Sequence, residues 1–179
     1  MTQFTIFETP LGWAGIGWTS AGLATVRLPQ STRDAVLASL KRRRPDAQEA
    51  EPPPRIAAVI ADIRHLLCGG KPDFADAPLD DAGTPEFHAR VYAIARAIRP
   101  GETMTYGEVA ERLGDKLLAR DVGQALGRNP WPIVVPCHRV TAAGGKLGGF
   151  SAPGGAATKL KLLAIEGAAA AAQADLFAG

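Results

Sequence analysis

The chain has 179 residues, a formal net charge of +2 and 46% hydrophobic residues, the balance of a soluble globular protein with a sizeable core. That charge excludes a global positive field, so any nucleic-acid surface must be local. No cationic start leads into an apolar signal segment and no apolar run is long enough to span a bilayer, so a cytoplasmic protein is expected.

The first third reads as a small α/β unit. Phe4 to Phe7, Gly12 to Trp18 and Leu23 to Arg27 are short strands separated by tight turns, which predicts an antiparallel meander. Ser31 or Thr32 caps a helix running to about Arg43, and the basic run Lys41 to Arg44 at its end suits a helix C-terminus. After the stiff segment Glu51-Pro52-Pro53-Pro54, the spacing of Ile56, Val59, Ile60, Ile63, Leu66 and Leu67 predicts an amphipathic helix ending at Cys68. Cys68 has no base beside it in sequence and reads as structural filler. Nothing in this third carries visible chemistry.

Asp80-Asp81-Ala82-Gly83 is a junction, so the expected domains are residues 1–82 and 83–179. Thr84-Pro85-Glu86 opens a helix, with Thr84 as cap and Pro85 at the first position, and Phe87, Val91, Ile94 and Ile98 form its stripe. Thr105-Tyr106-Gly107-Glu108 is a capping box, and Gly114 closes its helix. A second helix is expected from about Leu117 to Leu126, which gives the pair the form of a helix-turn-helix. Val140 to Gly155 is rich in glycine around Phe150-Ser151, suited to a loop whose backbone closely approaches a flat ligand. Thr158 is expected to cap a last helix ending in Glu166-Gly167. A carboxylate there opposes the helix dipole, which points to a contact elsewhere, with His138 as the proposed partner.

The chemistry concentrates in Pro136-Cys137-His138-Arg139-Val140. Proline fixes φ and has no amide hydrogen, so Cys137 is expected at a stiff bend and not within a ladder. A thiol between a rigid turn and an imidazole is a candidate activated nucleophile; the competing reading is a small buried hydrophobe. The two cysteines and three histidines show no zinc-ligand spacing, so no metal and no cofactor is expected.

From Thr84 to Gly167 the sequence resembles the 6-O-alkylguanine-DNA alkyltransferases, also called methylated-DNA–protein-cysteine methyltransferases. The resemblance rests on Pro136 to Val140, Thr105 to Ala110, Ala119-Arg120 with Val122-Gly123, Asn129-Pro130, the loop with Phe150-Ser151, and Leu163 to Gly167. The first 80 residues match only loosely. The resemblance implies a ribonuclease-H-like antiparallel sheet with helices, followed by a mostly α domain with a winged-helix-like helix-turn-helix. It implies a monomer that binds duplex DNA, flips out a damaged guanine and moves the alkyl group irreversibly to its own cysteine. By this likeness Cys137 is the acceptor, His138 the base acting through a water, and Glu166 its orienting carboxylate. Asn129 bonds within the active-site turn, and Tyr106 assists flipping and donates a proton to the leaving guanine. Arg120 fills the gap in the stack, with Ala119, Gly123 and Arg128 also on DNA. Val140, Gly148, Gly149, Phe150 and Ser151 line the base pocket.

This sequence departs from the pattern in places. Phe150 stands where some members carry tyrosine, so stacking survives without the hydroxyl. Ala152-Pro153 lengthens the loop relative to the mammalian proteins. His88 and Tyr92 replace common glutamine and tryptophan and read as packing variation. Two alternatives remain: a lesion-binding module without transfer, whose members carry tryptophan in place of Cys137, and an unrelated cysteine hydrolase, for which no oxyanion-binding signature is visible.

Overall fold

The structure is a computed structural model and describes residues 2–169. The chain divides into two compact units: residues 1–82 with 130–134, and residues 83–129 with 135–179.

In the first unit, β1 (Gln3–Thr9), β2 (Gly12–Trp18) and β3 (Leu23–Gln30) form the expected meander. The sheet order is β3-β2-β1-β4, and β4 (Gln48–Glu49) pairs parallel to β1. The sheet is therefore mixed, a correction to the wholly antiparallel expectation. The chain crosses over through α1 (Arg33–Arg43) before β4, so β4 runs in the direction of β1. Thr32 caps α1 by accepting from the Ala35 amide, and α1 lies against β2 and β3. Gly15 permits that approach, because a Cβ there would sit 2.7 Å from Val36 Cγ1. An Arg33–Glu49 ion pair ties α1 to β4. In α2 (Pro54–Leu67) the six expected apolar residues are all buried, and Cys68 forms its C-cap.

Residues 130–134 join this unit through specific bonds. The Pro130 carbonyl accepts from the Val26 amide at 2.8 Å, and Trp131 Nε1 donates to the Leu23 carbonyl at 2.6 Å. Buried Ile133 has φ of 75°, a left-handed conformation for a β-branched residue, at a cost of roughly 1–3 kcal/mol.

The second unit is mostly helical. α3 (Glu86–Arg96) has Pro85, not Thr84, as its N-cap, and no side chain caps it. Its buried face is Val91, Tyr92 and Ala95. Tyr92 donates to the Ala125 carbonyl at 2.9 Å, so it pins α3 to α5 (Ala119–Gly127) as well as filling space. β5 (Met104–Thr105) pairs parallel to β6 (Val140–Thr141) and leads directly into α4 (Tyr106–Leu113). Both bonds of the Thr105–Glu108 capping box are present, and Gly114 ends α4 at φ of 105°. A 3-10 turn over Lys116–Leu118 separates α4 from α5, so the second α-helix begins two residues later than the sequence pattern implied. α6 (Gly155–Ile165) starts at a left-handed Gly154. Thr158 does not cap it; its hydroxyl donates to the Pro153 carbonyl at 2.7 Å and closes the loop instead. The tail from Ala168 to Gly179, whose alanine-rich composition suggests a frayed helical extension, lies outside the described residues from residue 170 onward.

Candidate active site

Cys137, His138 and Arg139 form one 3-10 turn, entered from Pro136 and followed at once by β6. Successive side chains of so tight a turn diverge, which lets three neighbouring residues reach different partners. Asn129 prepares the turn: its Nδ2 donates to the Val135 carbonyl at 2.8 Å. That bond joins the two points where the chain leaves and re-enters the second unit. The same carbonyl accepts the Cys137 amide at 2.8 Å.

Behind the turn lies a buried charged cluster. Glu166, the C-cap of α6, receives His138 Nε2 on Oε1 at 2.9 Å. Arg139 donates to both its oxygens, from the second terminal nitrogen to Oε1 at 2.9 Å and from Nε to Oε2 at 3.0 Å. Arg139 also donates to the Ile98 carbonyl. Burial pushes the Glu166 carboxyl up, but the bonds from His138 and Arg139 outweigh it and hold the group at about 2. An ionised carboxylate only accepts, so His138 Nε2 must carry the hydrogen. Nδ1 is left as the lone-pair nitrogen, buried and without a hydrogen-bond partner among the described residues. Burial holds His138 below 6.5 despite the Glu166 bond, so the ring is neutral at pH 7 and able to take a proton.

Burial also raises the Cys137 thiol. The Asn129 side chain, the Lys159 charge and the amides of Cys137 and His138 act in the opposite direction. The thiol thus needs a base to ionise, while four groups are ready to stabilise the thiolate once formed.

Cys137, 9% exposed, opens at the floor of a cleft of about 690 Å³. Tyr106, Ala119, Arg120 and Gly123 come from the two helices of the helix-turn-helix, and Gly149, Phe150 and Ser151 from the glycine loop. Leu126, Gly127 and Gln124, not singled out in the sequence, complete the lining. Tyr106 donates to the Gly149 carbonyl at 3.2 Å, and Ser151 to the Gly127 carbonyl at 2.9 Å, so the loop is held to both helices. Gly148 lies behind this wall at φ of 74°, where a Cβ would come within 2.8 Å of the Tyr106 ring. Val140 is fully buried and Arg128 is the exposed C-cap of α5; neither lines the cleft. Burial, then the nearby Cys137, keeps the Tyr106 phenol protonated well into alkaline conditions.

Residues 86–168 match the family described as 6-O-methylguanine DNA methyltransferase, DNA binding domain. A methylated-DNA–protein-cysteine methyltransferase of Methanothermobacter thermautotrophicus is 35% identical over 158 residues, 88% of this chain and 81% of that protein. The chain belongs to the methylated-DNA–protein-cysteine methyltransferases. Its fold agrees with the O6-methylguanine methyltransferase of Mycobacterium tuberculosis, with 32% identity, 99% of both chains covered and a TM-score of 0.73. A structure of the Mycobacterium tuberculosis OGT in complex with DNA is similar over 96% of this chain and 98% of that one, at 29% identity and a TM-score of 0.70.

Two buried residues at this methyltransferase site went unread in the sequence. Arg139 was visible beside His138, but its bidentate grip on Glu166 spans 27 residues. Lys159 belongs to no motif in the sequence. It is 0% exposed, and its Nζ donates to the Val140 carbonyl at 2.6 Å. An α6 face with Lys159, Leu162 and Leu163 at helical spacing could have signalled it.

The buried cluster makes stability pH-dependent. His138 is held below its ordinary 6.5 and Glu166 at about 2 against 4.5. In both cases the unfolded chain binds a proton that the folded chain refuses, so acid favours unfolding. The His138 contribution is lost as pH falls below 6.5, and that of Glu166 is lost from 4.5 downward. Calorimetry should show a melting temperature falling in two stages below neutrality; a rise on acidification from pH 7 to 5 would contradict this cluster.

Proposed function

We propose that the protein reverses alkylation damage in duplex DNA by taking the alkyl group of 6-O-methylguanine onto Cys137. The supporting observation is the joining of a nucleophile, a neutral base and an ionised orienting carboxylate at the floor of a cleft whose rim is the helix-turn-helix. His138 Nδ1 accepts the thiol proton, through a bridging water, and Glu166 steadies the imidazolium that results. The thiolate displaces guanine at the saturated carbon, and Tyr106 donates a proton to the departing base. Asn129 holds the turn and hydrogen-bonds the sulfur. Phe150 stacks on the flipped base, with the backbone of Gly149 and Ser151 shaping its slot and Gly148 and buried Val140 supporting it from behind. No cofactor takes part.

The DNA reading rests on α5. Its first turn presents exposed Arg120 at the cleft, and Ala119 and Gly123 are small enough for close approach of a backbone. Arg128 at the far end of α5 supplies a phosphate contact. Arg120 enters the base stack when the damaged nucleotide leaves, offsetting part of the few kcal/mol of unstacking. Arg120→Ala should therefore slow repair of duplex DNA by about 10-fold or more while barely changing transfer from free 6-O-benzylguanine. Equal losses on both substrates would rule out intercalation.

The sheet order β3-β2-β1-β4, with β4 parallel to β1, supports a ribonuclease-H-like first domain over residues 1–82. The β5–β6 pair, packed against α4 of the helix-turn-helix, supports a winged-helix-like second domain over residues 83–179. A monomer suffices, because the proposed chemistry uses residues of the second unit alone. Incubation with DNA carrying a labelled methyl on guanine tests the reading: label moves to the protein if it is right. Binding without transfer would favour a lesion-recognition module, and neither would favour the hydrolase.

A further inference from the structure

Arg27 is a charged residue on the helix-covered face of the sheet in the first unit. It pairs with Gly15 across β2 and β3. A Cβ at Gly15 would lie 3.6 Å from the Arg27 Cβ and 3.0 Å from Leu40 Cδ1, so Arg27 leaves β3 on the side that α1 covers. Only the length of its stem lets the guanidinium leave that face. Nε is shut off from solvent and has no hydrogen-bond partner among the described residues. No ion pair reaches Arg27 there either. Burial lowers it to about 10, and the charges of Arg43 and Arg42 push in the same direction, so it remains charged at pH 7. Arg43 follows Val36 and Leu40 at helical spacing, which puts it on the face of α1 that lies over Arg27. Attraction to the helix C-terminus accounts for exposed Arg42 and Arg43. It does not account for Arg27, which comes from a strand. Two other cations of α1 are already engaged: Lys41 donates to the Pro45 and Ala47 carbonyls, and Arg33 pairs with Glu49. Three guanidinium groups thus gather at the end of α1 with no carboxylate partner among the described residues.

We propose that Arg27, Arg42 and Arg43 form a phosphate-binding site in the first unit. The ligand class follows from the donors. Guanidinium forks match the paired oxygens of a phosphate, stay charged at any working pH and offer no acceptor to a cation. A carboxylate brings a single charge and would leave two of the three arginines repelling each other. A phosphate group that is not a diester carries close to two charges at pH 7 and three strong acceptor oxygens, enough for every member of the cluster. A phosphodiester brings one charge but recurs along a DNA strand, so neighbouring phosphates can share the arginines. The partial negative charge at the end of α1 opposes an anion, but it is about half a unit against three full positive charges. A desolvated arginine held beside two like charges destabilises the empty site, and a bound anion removes that repulsion. The site uses no residue of the helix-turn-helix or of the Cys137 turn, so it stands or falls separately from alkyl transfer.

The test uses the full chain and two probes. The first is inorganic phosphate, titrated by calorimetry against sodium chloride at matched ionic strength. Arg27→Met keeps the length of the apolar stem and should weaken phosphate binding about 10-fold or more, the range for a lost charged hydrogen bond. Arg42→Gln combined with Arg43→Gln alters only exposed side chains and should weaken it as much, which covers the case in which Arg27→Met folds poorly. Lys71→Gln removes one exposed charge of the same unit that does not act on Arg27, and should change nothing. The second probe is undamaged duplex DNA, with affinity measured over a salt series. If the site holds a backbone phosphate, Arg27→Met lowers the slope of log K against log salt by about 1. A loss in either readout shared by Arg27→Met and the double variant upholds the site. The DNA slope then names the source: it falls for a backbone phosphate and stays unchanged for free phosphate or a phosphate monoester. Phosphate that binds no better than chloride, together with an unchanged DNA slope, would overturn the inference. So would natural behaviour of either variant with both probes, or an equal loss in Lys71→Gln, which would show diffuse attraction and no site.

Discussion

Glu166→Ala is expected to cost about 3–5 kcal/mol of stability and to abolish measurable transfer. Glu166 is the carboxylate of a buried cluster with His138 and Arg139, and each of its oxygens receives at least one of their hydrogens. Removing it strands the Arg139 guanidinium, which among the described residues keeps only the Ile98 carbonyl as a hydrogen-bond acceptor. An uncompensated buried charge is among the few single changes that destabilise this strongly. The chemistry fails separately. Without a carboxylate on Nε2, nothing fixes the His138 tautomer or offsets the positive charge the ring acquires as a base. Glu166→Gln separates the two effects. It keeps an oxygen for one donor and most of the shape, so it should fold while transferring slowly. Urea unfolding and the transfer rate constant measure both; a loss below about 1 kcal/mol for Glu166→Ala would contradict the cluster's energetic role.

What could be read from the chain depended on the range of each interaction. The Thr105–Glu108 capping box lies within four residues, and both of its bonds are present. The spacing of the six apolar residues of α2 is likewise a local periodicity, and all six are buried. Cys137 at a bend followed from Pro136 and is realised as a 3-10 turn. The contact of Glu166 with His138 crosses 28 residues and was signalled only because an acid at a helix C-terminus is unfavourable. Arg139 and Lys159 gave no such sign; each looks like an ordinary surface cation until the fold encloses it. β4 escaped notice because two exposed polar residues, Gln48 and Glu49, carry no strand period. Thr158 has the right chemistry for a cap, but Gly154 and Gly155 start α6 earlier by adopting positive φ. Thr84 was displaced from its expected cap position because Pro85 already has the extended geometry of an N-cap.

The second large effect is expected at the nucleophile. Cys137→Ser should lose alkyl acceptance altogether. A serine hydroxyl is far less acidic than a thiol, and neutral His138 is too weak a base to ionise it to a useful extent. The substitution removes little volume from a site that is already almost closed, so the fold and DNA affinity should remain. The reaction should also stop after one turn in the natural protein. A thioether has no ionisable proton and is a poor leaving group. Cys68, at the C-cap of α2, is exposed in the other compact unit and belongs to no part of the proposed site. The most direct measurement is the mass of the protein, with peptide mapping, after incubation with excess duplex DNA bearing labelled 6-O-methylguanine. The expected result is one methyl per chain, carried by Cys137 and absent from Cys137→Ser; label on another residue, or more than one guanine repaired per chain, would contradict the account.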